Sequence, residues 1–117
     1  MDFACETISA EKVLRCSLGL TKAGCATLHY LREANDWLAS ETIAKRTKYD
    51  LATTQRSLKH LYERGAVERR QENRKQGGYT YYYKIVTEQE LQKIVFTTID
   101  EWLVVAKKEV KEWLKEK

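Results

Sequence analysis

The segment Asp50-Leu-Ala-Thr-Thr-Gln-Arg-Ser-Leu-Lys-His-Leu-Tyr-Glu-Arg-Gly65 constrains the fold more than any other stretch of the chain. Asp50 can accept hydrogen bonds from the free backbone N–H groups of a first helical turn, and Gly65 supplies the left-handed residue that ends a helix. Leu51, Leu58, Leu61 and Tyr62, with Thr54 between, recur at three- and four-residue spacing and predict one buried stripe. The other face carries Thr53, Gln55, Arg56, Lys59 and His60, residue types that donate to phosphates and to base edges in a major groove.

A second short helix is expected just upstream, over 40–48, with Ser40 as its cap and Ile43 and Ala44 turned inward. Two short helices with a tight connection at Tyr49 and Asp50 read as helix-turn-helix. After Gly65, the β-forming runs 66–72 and 79–86 flank the turn Asn73-Arg-Lys-Gln-Gly-Gly78, which predicts a β-hairpin with a basic tip. That order is the order of a winged helix. The tyrosines at 79, 81, 82 and 83 place rings on both faces of the second strand, one to cover the helices and one open to solvent.

Residues 9–17 suggest a short helix capped by Ser9, with Val13 and Leu14 facing inward. Thr21 can cap a helix over 22–34 whose Gly24, Leu28 and Leu31, with Leu20, pack beneath the two short helices. Asn35 and Asp36 break it, and Trp37-Leu38-Ala39 is placed to form a small strand against the wing. Thr87-Glu-Gln-Glu90 is a capping box opening a last helix that can run from Glu88 to near Lys117. Leu91, Val95, Ile99, Trp102, Ala106, Val110 and Trp113 share one face of it, joined by Ile94, Leu103 and Leu114, and Val104 and Val105 widen the apolar surface. About 28 helical residues span roughly 40 Å, longer than so small a domain covers, so the helix is expected to lie against a second copy of itself.

The fold class expected is α+β, mainly α: one winged-helix domain over residues 1–117, divided into an N-terminal segment 1–19, a core 20–86 and a dimerisation helix 87–117. Net charge is only +4, but its distribution is uneven. Residues 45–75 hold ten Lys or Arg against four acids, a net of +6, whereas the first 44 residues sum to −2 and the last 42 to zero. The positive excess therefore sits on the expected reading helix and wing, where a polyanion would be met.

Three cysteines, Cys5, Cys16 and Cys25, lie in the first quarter, and an odd count without a targeting pattern suggests a reducing cytoplasm. No apolar run approaches a membrane span. Cys25 and His29, four apart on a helix, share a face, and with Cys16 they are the weak candidates for a metal or redox site. No cofactor is called for. Gly-rich phosphate loops, GxSxG and HExxH are all missing, so an enzyme is not expected.

Residues 58–70, LKHLYERGAVERR, resemble the "LxxLxxxGxVxRR" passage of winged-helix regulators of the multiple-antibiotic-resistance (MarR) type and their archaeal relatives in the TrmB group. The resemblance covers about residues 20–86 and the position of the last helix. It implies a homodimer that puts the second short helix in a major groove and the wing on the adjacent minor groove. Carried over by position, Thr53, Gln55, Arg56 and Lys59 would face base edges and nearby phosphates, Arg74 and Lys75 would sit at the wing tip and Arg69 and Arg70 on the wing strands. Apart from the resemblance, Thr54 and His60 on the same helix and the flanking Lys45 and Lys48 join the candidate DNA contacts. The resemblance also admits a small-molecule effector of unspecified identity. Two functional classes follow: a sequence-specific double-stranded DNA-binding transcriptional regulator, or a winged helix used as an architectural or protein-interaction module of the transcription machinery. A metal- or redox-sensing regulator using the N-terminal cysteines is a lesser alternative.

Overall fold

The computed structural model describes residues 2–116, with side chains from Phe3 onward. A two-residue hairpin, β1 (Asp2–Phe3) and β2 (Glu6–Thr7), opens the chain and was not foreseen from the sequence, since two-residue strands leave no periodicity to read. Helix α1 (Ala10–Leu18) follows, its first turn capped by Ser9, which accepts from the Lys12 amide. Thr21 caps α2 (Lys22–Ala34) in the same way through the Gly24 amide, and Asn35 ends it in the left-handed conformation at φ 46°.

Strand β3 (Leu38–Ala39) leads directly into α3 (Ser40–Thr47). The cap expected at Ser40 is displaced by one residue. Ala39 pairs with Tyr82 and so keeps extended backbone, which makes it the last non-helical residue and leaves Ser40 already inside the helix, buried and without a capping bond. Lys48 turns left-handed at φ 64°, and Asp50 then caps α4 (Leu51–Glu63), accepting from the Thr53 amide. Gly65, at φ 78°, releases the chain from α4 into the wing.

The wing is β4 (Val67–Asn73) against β5 (Tyr79–Ile85), antiparallel, with Arg69 opposite Tyr83 and Asn73 opposite Tyr79. β3 adds to the other edge of β5, giving a three-stranded sheet in the order β3-β5-β4. The fold is thus mainly helical, five helices with this small antiparallel sheet and the β1–β2 hairpin among the described residues.

Leu18, Leu31, Ile43, Leu58 and Leu61 are wholly buried and form the centre of the core, joined by Tyr83 and Ile85 from the wing and by Val95. On α4 the buried stripe is narrower than the periodicity implies. Thr54, Ser57, Leu58 and Leu61 are inside, whereas Leu51 and Tyr62, at the two ends of the helix, are each 40% exposed.

Helix α5 (Glu88–Lys115) begins at Thr87, whose hydroxyl accepts from the Glu90 amide, and Lys117 lies outside the described residues. Its two halves differ. Leu91, Ile94, Val95 and Ile99 pack on the domain's own core, Val95 buried there and Leu91 and Ile99 partly so, which leaves Val95 covered by the domain itself where the sequence assigned it to a dimer face. Beyond them the helix leaves the domain, drawing the molecule out to 68 × 26 × 23 Å. Trp102, Val104, Val105, Val110, Trp113 and Leu114 are all more than half exposed there.

Candidate nucleic-acid interface

Gln55, Arg56 and Lys59 are exposed on α4, Arg56 and Lys59 on the side away from Leu58 and Leu61 and Gln55 nearer the edge of the buried stripe. Thr53 joins them at the first turn. Its hydroxyl donates to Asp50 Oδ1 at 2.6 Å and accepts from Arg56 Nη2 at 3.2 Å, so Asp50, Thr53 and Arg56 form a chain that holds the guanidinium over the start of the helix. The Thr53 hydroxyl and amide hold the Asp50 carboxyl below the usual carboxylate range.

Two residues expected on this face are elsewhere. Thr54 is fully buried, because it sits three residues from Ser57 and four from Leu58 on the inward stripe. His60 turns back toward α1, its Nε2 lying 2.8 Å from the Leu18 carbonyl oxygen. A carbonyl only accepts, so the ring is protonated at Nε2. Arg64 reinforces the same junction by donating to the Ser17 carbonyl at 2.7 Å.

Lys45 and Lys48 are exposed at the end of α3 and in the turn that follows. On the wing, strand alternation separates Arg69 from Arg70. Arg69 points to the helix side and stacks over Tyr62 and Tyr81, at 4.1 and 4.5 Å from the ring centroids. Arg70 points to the other side, 4.7 Å over Trp37, and pairs with Glu72 at 3.1 Å. Arg74 does not stand free at the wing tip: its guanidinium bonds the Thr80 hydroxyl and reaches Glu41 of α3 at 3.5 Å. Lys75 is exposed at the tip with no ion-pair partner among the described residues. The aromatic platforms under both arginines were missed in the sequence, where the tyrosine run signalled strand and gave no sign of which cation each ring would meet.

A separate cluster lies where α1 meets α2. Glu11, Cys25 and His29 each bring one potential metal-ligand atom within 4.8 Å of the others. Cys25 is buried, and its thiol donates to Glu11 Oε1 at 3.7 Å. Burial, and then the charge of Glu11, push that thiol up from its ordinary range. Cys16 is exposed and outside the cluster, contrary to the sequence expectation, and Glu11 takes the place assigned to it. Glu11 is on α1, fourteen residues from Cys25, a separation that carries no helical signal.

The comparisons with known proteins agree with this fold. The chain is 32% identical over 108 residues to an uncharacterized protein of Methanocaldococcus jannaschii, covering 92% of this chain and 81% of the other. It is similar to the structure of a possible transcriptional regulator from Methanosarcina mazei Go1, at 35% identity and a TM-score of 0.87, covering 97% and 95% of the two chains. A homodimeric winged helix-turn-helix DNA-binding domain from Mycobacterium bovis shares the fold, with a TM-score of 0.51 at 24% identity over 82% of this chain and 89% of the other. These likenesses support the winged helix and transcriptional-regulator relatives, but do not single out the MarR or TrmB type. The DnaD N-terminal domain model matches residues 12–105, four-fifths of the chain, and the protein belongs to that family.

Proposed function

We propose that the protein is a sequence-specific double-stranded DNA-binding transcriptional regulator that acts as a homodimer. The observation that carries this reading is the concentration of exposed, hydrogen-bonding side chains on the outer face of α4, Gln55, Arg56 and Lys59, within the one region of strong positive charge. In a major groove, Arg56 and Gln55 offer planar pairs of donors to base edges, and Lys45, Lys48, Lys59 and Lys75 neutralise phosphates. Thr53 positions Arg56. The exposed apolar half of α5 suits a second copy of the same helix, and the Mycobacterium bovis domain of similar fold is a homodimer. A two-fold dimer prefers a pseudo-palindrome with half-sites about one helical turn apart.

The second reading, an architectural or protein-interaction module, draws on the wing. Arg69 and Arg70 lie on aromatic rings and Arg74 is paired with Glu41, so the wing offers less free charge than its composition suggests.

The test is to mix the purified protein with sheared DNA from its host at near-physiological salt and sequence what it retains. Enrichment of a short pseudo-palindrome upstream of a few genes supports the regulator. Retention without a shared sequence, or no retention, sinks it in favour of the second reading.

A further inference from the structure

We infer that Glu11, Cys25 and His29 form a binding site for one divalent transition-metal ion of the zinc class, joining α1 to α2. The donor set is a thiolate, an imidazole and a carboxylate, the mixture that zinc and its cobalt surrogate accept and that hard cations such as magnesium do not. Cys25 and His29 project from one face of α2 because they are a single turn apart, and α1 supplies Glu11 from across the groove. Zinc–ligand bonds of about 2.0–2.3 Å put tetrahedral ligand atoms roughly 3.3–3.8 Å apart. The 3.7 Å between Cys25 Sγ and Glu11 Oε1 already has that spacing, and side-chain rotation brings in His29.

Space is available. A cavity of about 220 Å³ opens onto the three groups, with Arg15, Lys22 and Tyr49 on its walls. Three protein ligands leave a fourth position to water or to an exogenous ligand. Binding replaces the thiol hydrogen with the metal, and the proton leaves to solvent. The loaded site then carries two ligand negative charges against two on the ion. It is neutral, so Arg15 and Lys22 meet no net positive charge.

The experiment is a cobalt(II) titration of the full chain, kept reduced with a phosphine, followed by absorption. One cobalt per chain is expected, with thiolate-to-cobalt charge-transfer absorption in the near ultraviolet and tetrahedral ligand-field bands in the visible, both removed by added zinc. The double variant Cys5→Ser, Cys16→Ser keeps both, because Cys25 is then the sole thiol. Cys25→Ser abolishes the charge transfer, and Glu11→Gln and His29→Ala each weaken binding at least ten-fold. Bands that vanish in the double variant, bands that survive Cys25→Ser, or no bands at a ten-fold excess of cobalt over protein would overturn the site. If Cys25→Ser fails to fold, as read by circular dichroism, the double variant alone decides it.

Discussion

His60 Nε2 donates across 2.8 Å to the carbonyl oxygen of Leu18, tying the last turn of α4 to the C-terminal end of α1. This carbonyl belongs to a helix end, where oxygens lack intrahelical partners, so the imidazole satisfies a part-buried acceptor there. His60→Ala therefore lowers stability by about 1–3 kcal/mol, read from urea denaturation, while leaving DNA sequence preference intact. A loss of preference at constant stability would return His60 to the DNA face.

Much of the fold was legible because local and tertiary signals agree. Thr21, Asp50 and Thr87 stand where capping hydroxyls or carboxylates must, and each accepts the expected backbone amide. Ser40 looked equally good and failed, since β3 extends the sheet to Ala39 and a strand's pairing is invisible in a helix-start signal. The β1–β2 hairpin was illegible for its shortness.

The Glu41 carboxylate of α3 pairs with Arg74 of the wing turn at 3.5 Å. Glu41→Gln leaves the guanidinium on Thr80 but unneutralised and removes an acid facing the polyanion, so DNA binding tightens for all sequences and the salt slope steepens by about 1. Lys75→Ala does the reverse, weakening all sequences alike and reducing the slope by about 1. Fluorescence anisotropy across a salt series reads both. Unchanged slopes would mean that the wing stands clear of the phosphates.

On α5, Trp102 and Trp113 are 63% and 69% exposed, whereas Val95 is 6% exposed in the domain core. Contiguous apolar exposure of this kind marks an interaction surface. The double variant Trp102→Asp, Trp113→Asp is accordingly expected to sediment as a folded monomer at micromolar concentration, with the wild type a dimer. Val95→Asp instead unfolds the domain, because it buries an unpaired charge. A monomeric wild type would remove the dimer from the proposed function.

The Thr53 hydroxyl and amide both favour the ionised form of Asp50 and depress its pKa in the folded state. The stabilisation is then present above the unfolded value of about 4 and is lost as pH falls through the lower folded value. Asp50→Ala should lower the thermal midpoint at pH 7 and narrow the gap from wild type as the pH drops below 4. A gap independent of pH would show that the carboxylate's charge is immaterial to the cap.

The candidate site was only half legible, and Thr54 and Arg56 show why. Both are polar and two residues apart on one helix, and both are candidate DNA contacts by residue type, although the helical period sets Thr54 among the stripe residues. Their azimuths differ by about 200°. Thr54 is fully buried, and its hydroxyl has no hydrogen-bond partner among the described residues; Arg56 is exposed. An unpaired buried hydroxyl costs stability, so Thr54→Val, which keeps the shape and removes the polar atom, should raise stability by about 1 kcal/mol and leave DNA binding unchanged. Arg56→Ala should leave stability nearly unchanged, weaken the preferred sequence by about 1–3 kcal/mol and relax specificity at one base pair. Measured together by denaturation and competition binding, the two variants separate the faces of α4. If Thr54→Val altered sequence preference while Arg56→Ala did not, the helix would be reading DNA through a different face or not at all.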